Sequence, residues 1–369
     1  MLHLNLGIAG TAKNTGKTTT TAAICQELRM RGIPLSITSI GYDGENIDNI
    51  TGLPKPKLWV EPGDIIATAE KCFKNCTAGF RVLEETNIDT PLGRVRIAEV
   101  KRAGLAVTAG PNKSADVKSV AAMLRQIGPG VVIFDGALNR IAPLAETEGF
   151  ILATGAAKTK NIIQLGRETE LIEQICSLPA VPQAYDLLEK QFRDVVLLDP
   201  GFTVIKRRPS SSLLTEADVT EILSDSPEGS YLFIPGVMSE KALISLRSIF
   251  QKNPRRLFLT FDNPIKLLMI GEPVAICDVI RDIHQFGVFV GVARRVPLLA
   301  ITVNPFYPEY RVKTQTYRSA FVDPVRLEVL IKRHVRVPVH NIVRHGAQGL
   351  VDTILLSRRL WQSPQTVTF

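Results

Sequence analysis

The densest chemistry in this chain surrounds Lys17, in the stretch Gly10-Thr11-Ala12-Lys13-Asn14-Thr15-Gly16-Lys17-Thr18-Thr19. A lysine beside a hydroxyl, after a glycine, suits a polyphosphate and its divalent cation. Lys17 would meet β- and γ-phosphate oxygens, and the Thr18 hydroxyl would meet Mg2+. The amides of Lys13, Asn14, Thr15, Gly16, Lys17, Thr18 and Thr19 can converge on one phosphate if they curl into a helix start. There, four backbone donors lack partners and the helix dipole favours an anion. Gly16 allows the tight turn and the close approach. A Mg2+ site also wants carboxylates. Asp135 follows the apolar run Val131-Val132-Ile133-Phe134, and Asp43 follows Leu35–Ile40. The catalytic candidates are therefore Lys17, Asp135 and Asp43, and the Mg2+ candidates are Thr18, Asp43 and Asp135. Asp43 also reads as a simple Asp-Gly turn residue, and the two readings stay open.

The elements that must hold these groups follow from pattern. Residues 4–10 form a short apolar strand, and residues 19–31 a helix stopped by Gly32 and Pro34. Residues 35–40 are a second strand, whose carboxyl end is where ligands sit in open α/β sheets. The Pro-rich residues 51–65 read as a loop over that face, 64–76 as a helix, and 79–99 as a strand pair turning at Thr90-Pro91-Leu92-Gly93. Residues 105–108 read as the next parallel strand and 114–127 as a helix. Residues 131–136 have the continuous apolar character of a buried parallel strand. The loop 137–143 then brings Asn139 and Arg140 near the phosphates. Strands at 150–154 and 194–198, with a helix at 161–175, extend the β-α alternation to residue 203. This predicts an α/β fold: a phosphate-loop domain over 1–203 with a mostly parallel sheet flanked by helices. Residues 206–215, basic and serine-rich, read as a linker. A second, smaller α/β domain follows over 204–369, with strands at 231–234, 257–261, 288–292, 299–303 and 337–342, helices at 239–250 and 324–334, and a helix or strand–helix at 274–286.

Composition sets bounds. Of 369 residues, 45% are hydrophobic and 22% charged, an ordinary globular balance. No run approaches the roughly 20 apolar residues of a membrane span. No signal-type segment precedes the loop, and the five scattered cysteines suit a reducing compartment, so a cytoplasmic location is expected. Cys72 and Cys76 are a close pair without a second pair, a poor zinc pattern. The five histidines lack metal spacing. Residues 1–203 carry 22 Lys+Arg and 22 Asp+Glu, whereas residues 204–369 carry 22 and 14. The whole excess of +8 then falls in the second half, which points to an acidic protein partner there. Residues 306–321 interleave Tyr307, Tyr310 and Tyr317 with Arg311, Lys313 and Arg318. An amphipathic element explains them better than a stacking platform does, so nucleic acid is disfavoured. Asn112-Lys113-Ser114-Ala115-Asp116 has one residue too many for a guanine-reading tetrapeptide.

Gly10-Thr11 and, after four intervening residues, Gly16-Lys17-Thr18 together resemble the loop of the dethiobiotin synthetase and cobyrinic acid synthase group, within the SIMIBI class of P-loop NTPases. The resemblance covers the first domain. It implies ATP and Mg2+ as cofactors, phosphate and Mg2+ roles for Lys17 and Thr18, and carboxylate roles for Asp43 and Asp135. Three departures stand out. Ala12 occupies the place of the signature lysine of Min-like members. Residues 36–43 lack the Lys-Pro stretch of dethiobiotin synthetases. Cys277 lacks the glycine-rich turn of a glutaminase nucleophile. More faintly, the length and two-part layout resemble NTPase-like reactivating factors of adenosylcobalamin-dependent lysine or ornithine aminomutases. The expected function is ATP binding and hydrolysis coupled to a partner protein. An ATP-dependent ligase or kinase with a small-molecule substrate, and a non-hydrolysing switch, are the alternatives, and a homodimer stays open.

Overall fold

The structure, a computed structural model, describes residues 3–43, 58–128, 130–137, 142–181 and 193–361. Asn139 and Arg140, and residues 51–57 of the loop expected at 51–65, lie outside the described residues; 58–60 of that expected loop form a strand. The chain divides into two compact units: residues 1–169 with 298–369, and residues 170–297.

The first unit is built on β1 (His3–Gly10). Its Leu4, Leu6 and Ile8 alternate onto one face, against Ile24 and Leu28 of α1 (Lys17–Met30). Then follow β2 (Leu35–Ser39), the short β3 (Tyr42–Asp43), β4 (Leu58–Val60) and β5 (Ile65–Ala69). The hairpin β6 (Gly79–Thr90) and β7 (Gly93–Arg102) comes next, then β8 (Gly104–Ala106) and β9 (Thr108–Ala109). Helix α2 (Ser114–Ile127) leads to β10 (Gly130–Ala137), and β11 (Gly149–Gly155) to α3 (Ile162–Cys176).

Three local expectations need correction. Residues 64–76 are not one helix. Ile65–Ala69 is a strand because its residues continue the sheet beside β2, and only residues 70–75 turn, as a 3-10 helix. The segment 105–108 is not a parallel strand of the main sheet; β8 pairs antiparallel with β4, and β9 with β3. The expected linker at 206–215 is ordered structure: residues 204–208 form a strand, and Thr215 caps a helix through a reciprocal capping box with Asp218.

The second unit contains β12 (Val195–Leu198), β13 (Val204–Arg208), α4 (Glu216–Leu223), β14 (Ser230–Ile234) and α5 (Glu240–Lys252). It continues with β15 (Leu257–Phe261), α6 (Pro264–Leu268), α7 (Pro273–Gln285) and β16 (Val288–Val292). Its five-stranded sheet has the order β13-β12-β14-β15-β16, parallel across β14, β15 and β16 and antiparallel around β12.

The chain then returns to the first unit. β17 (Leu298–Asn304) runs parallel beside β11, followed by the hairpin β18 (Phe306–Arg311) and β19 (Thr316–Phe321), α8 (Pro324–His334), β20 (Val339–His340), α9 (Ile342–His345) and α10 (Gln348–Trp361). The large sheet has nine strands in the order β20-β17-β11-β1-β10-β2-β5-β7-β6. It is parallel from β20 to β5 and antiparallel at the β7 and β6 edge. Helices α1 and α10 share one apolar core with it, through Leu28 and Leu350 among others. This is a mixed α/β architecture with a large, mostly parallel sheet flanked by helices.

The division expected at 203/204 therefore moves. The apolar strand at 298–304 is hydrogen-bonded to β11, so residues 298–369 belong with β1 and α1 rather than with 204–297. The charge moves with them. Residues 170–297 carry 14 basic and 16 acidic residues, leaving 30 basic and 20 acidic in the first unit. Among the described residues, no helix is long and apolar enough to cross a membrane.

Candidate phosphate site at the carboxyl ends of β1 and β10

The loop between β1 and α1 is closed by its own side chains. Thr15 is buried, and its hydroxyl donates to the Ala12 carbonyl at 2.9 Å. Gly10 makes room for this: a Cβ there would lie 3.0 Å from Thr15 Oγ1 and 3.4 Å from the Ala12 carbonyl. Thr11, in the place where the usual pattern has glycine, ties the loop sideways to β11. Its amide donates to the Ala153 carbonyl, and its hydroxyl shares a 3.0 Å hydrogen bond with that of Thr154. The departure from the motif is thus a change of role between two adjacent positions.

Helix α1 starts at Lys17, with Gly16 as its N-cap at φ +93° and no side chain bonded to its first amides. The first amide to find the standard partner is Thr20, which donates to the Gly16 carbonyl. Asn14 also has positive φ, +63°, so the loop turns through two left-handed residues. Among the loop residues, Lys13 is exposed, while Thr18 and Thr19 are half-buried.

Asp135 reaches the same place by register. Val131, Ile133 and Asp135 alternate onto the β10 face that packs against α1, and Ile8 of β1 lies beside Asp135. Lys17 Nζ stands 2.8 Å from Asp135 Oδ1, with side chains 17% and 9% exposed. A cation and a carboxylate on neighbouring segments therefore meet over the loop. Asp43 lies in β3, beyond the carboxyl end of β2, with Thr108 of β9 opposite. Its side chain lies outside the description, so the structure does not bring it to Lys17 and Asp135.

Three residues that the sequence reading did not single out complete the surroundings. Asn304, the last residue of β17, donates from Nδ2 to the Asn14 carbonyl at 3.2 Å, and its Cβ would lie 3.1 Å from a Cβ added at Gly16. Thr302 shares a buried 2.9 Å hydrogen bond with Thr20 of α1. Thr154 holds Thr11. The usable signal was Leu298–Asn304 itself, an apolar run ending in a polar residue, the same pattern that marked Asp135.

Burial raises the cysteine thiols and disfavours their nucleophilic thiolate forms. Burial, partly countered by Arg29, pushes the Cys25 thiol up to about 12. Burial likewise raises Cys277 to about 11, and its Sγ points at the Leu171 carbonyl. Cys72 and Cys76 are both raised, mainly by burial, and no metal-binding cluster occurs among the described residues. Comparison of the chain with protein-family models, with curated proteins and with solved structures finds no match.

Proposed function

We propose that the chain binds ATP with Mg2+ at the β1–α1 loop and hydrolyses it in step with a partner protein. The observation that carries this reading is the Lys17–Asp135 pair over an uncapped helix start. A Mg2+-triphosphate requires a cation for its oxygens and a carboxylate for its metal, and these two groups supply both charges while balancing each other. Thr18 and Asp135 would hold Mg2+, with Asp43 a further candidate, and amides 13–19 would cradle the phosphates. The bound metal would offset charge developing on the phosphates. Lys17 would orient the triphosphate, and Asp135 would position the metal and its waters. A partner-coupled cycle fits a loop laced to β11, α1 and β17, because a change in the loop must be met by those neighbours. The faint resemblance to aminomutase-reactivating factors suggests one class of partner, an enzyme that needs a spent cofactor exchanged.

Calorimetric titration with Mg-ATP and Mg-GTP tests the binding step. Micromolar or tighter binding of Mg-ATP, lost in Lys17→Ala, is the expected result. Equal binding by the two proteins, or none by the wild type, would overturn the assignment.

A further inference from the structure

The hairpin β18–β19 is a two-stranded sheet of its own that leaves the main sheet immediately after Asn304. Its register places Phe306 opposite Phe321 and Tyr310 opposite Tyr317. By strand alternation these four rings share one face. The two pairs touch, with centroids 5.8 Å and 5.1 Å apart. Yet Phe321 is 64% and Tyr310 50% exposed. A two-stranded hairpin is marginal alone, so an exposed aromatic face on one is costly unless something covers it.

Its charge says what. Exposed Arg311, the last residue of β18, and exposed Lys313 in the turn flank Val312. On the opposite face Arg318 pairs with Glu309. A ring-rich centre with a basic rim is the anatomy of a protein interface whose counterpart has an acidic rim. A second copy of this chain would bring the same basic tip, in a unit with 30 basic and 20 acidic residues, and like charges would oppose it. Single-stranded nucleic acid needs free ring faces for its bases. Here the rings lean on each other at 66° and 55°, and Lys160 Nζ lies over the Tyr307 ring at 5.4 Å.

The base of the hairpin is wired to the phosphate loop by one side chain. Asn304 Oδ1 accepts from the amide of Phe306, the first hairpin residue, while Nδ2 donates to Asn14 of the loop. The Val322 amide closes the base on the Pro305 carbonyl. Gly155 lets the two strand ends approach, since a Cβ there would fall 2.1 Å from the Asn304 carbonyl. A displacement of Asn14 or Gly16 must therefore move Asn304 or break its bond, and the hairpin root follows.

We propose that the β18–β19 hairpin is the arm through which the phosphate-loop unit engages an acidic protein surface, with Asn304 setting its presentation according to the state of the loop. The dependence on loop state rests on the nucleotide reading; the surface does not.

The test uses the full chain carrying the photo-crosslinker p-benzoylphenylalanine in place of Tyr310, irradiated in its native host, with adducts identified by mass spectrometry. The expected adduct is a protein joined through an Asp/Glu-rich segment. Once purified, that protein should bind the chain at least tenfold more weakly when Arg311→Glu and Lys313→Glu are combined, and more weakly as salt rises from 0.05 M to 0.5 M. Adducts only with nucleic acid or a second copy, no adduct, or binding indifferent to the charge reversal would each overturn the arm. Hydrogen exchange of amides 306–321 with and without Mg-ATP tests the relay, and at least a threefold change in exchange rate is expected. Nucleotide bound by calorimetry without such a change overturns the relay alone, and no nucleotide binding overturns the nucleotide reading while the cross-linking result stands.

Discussion

Lys17 and Asp135 are the residues on which the site turns, and their pairing sharpens what single substitutions should do. Asp135 is nearly buried, so removing the ammonium leaves a carboxylate with less compensation. Lys17→Ala should therefore lose nucleotide binding and also cost about 1–3 kcal/mol of stability, the range for a buried group deprived of its partner. Asp135→Asn keeps the shape and most of the loop's phosphate contacts. It should leave Mg-ATP affinity within about tenfold while slowing phosphate release about a hundredfold or more, as expected when a charge-stabilising group is lost. Phosphate-release kinetics together with calorimetry separate the two; an Asp135→Asn protein turning over at the wild-type rate would remove Asp135 from the mechanism. Gly16 adds a third residue-scale prediction. Its φ of +93° costs a non-glycine residue about 1–2 kcal/mol, and an added Cβ would crowd Asn304 at 3.1 Å. Gly16→Ala should lower the melting temperature and weaken Mg-ATP binding together, read by calorimetry in parallel with a thermal melt.

At the scale of elements, the sequence was informative where apolar runs ended in a residue with chemistry. The strand read at 131–136, the helix after Gly16 and the strand pair read at 79–99 were legible because periodicity and turn residues agree there. The short pieces β8 and β9 were not, because a four-residue apolar run reads alike in any sheet. Residues 64–76 misled because Asp64 is held from outside the segment, accepting three bonds from Arg29 and one from the Glu61 amide, while Ile65–Ala69 joins the sheet. The α8–α9 junction supports a prediction of its own. Glu328, nearly buried, accepts from Lys332 at 2.7 Å, from Arg344 at 2.9 Å, and lies 3.2 Å from His345 Nε2. Burial opposes its charge, yet the Lys332 and His345 contacts hold its carboxyl below the usual range. Nearby His340 is depressed, mainly by burial and then by Lys332. A lowered carboxylate stabilises the fold above its unfolded value and loses that contribution as pH falls. A lowered histidine likewise favours the fold above its ordinary 6.5 and penalises it below. Both signs agree, so thermal stability should fall as pH drops from 7.5 through 4. Glu328→Gln should cost about 1–3 kcal/mol at pH 7, with the gap to wild type narrowing below about pH 4.5. A gap that stays constant across that range would show that the carboxylate charge contributes nothing.

For the whole molecule, the boundary at 203 was misread for a physical reason. Sequence order suggests consecutive domains, and nothing local to 298–304 says that it pairs with residues 150–155, some 150 positions earlier. The basic run at 206–208 looked like a linker because charge and serine are read as solvent-exposed, although β13 is an edge strand on which half-buried Lys206 and Arg208 bond to α4, at the Glu221 carbonyl and at the Asp218 and Glu221 carboxylates. The arrangement predicts which pieces of the chain fold. Among the described residues, 170–297 hold a five-stranded sheet with its own helices, so that fragment should give a single cooperative melt. A fragment ending at 203 should not. It loses β17 and β20 from the large sheet, and with them Leu299, Ile342, Leu350, Val351 and Ile354 from the core under α1. At about 1.5–3 kcal/mol for each buried side chain, those five alone match a domain's net stability of about 5–15 kcal/mol. The fragment would also end on the unpaired edge of β11, a template for aggregation. Expression of 1–203 should yield insoluble or non-cooperatively melting protein. By contrast, joining residue 169 to 298 through a short Gly/Ser linker should restore a folded unit that carries the β1–α1 loop together with Lys17, Asp135 and Asn304. A soluble 1–203 fragment with a sharp thermal transition would show that β17 is dispensable, and with it the assignment of Asn304 to the site.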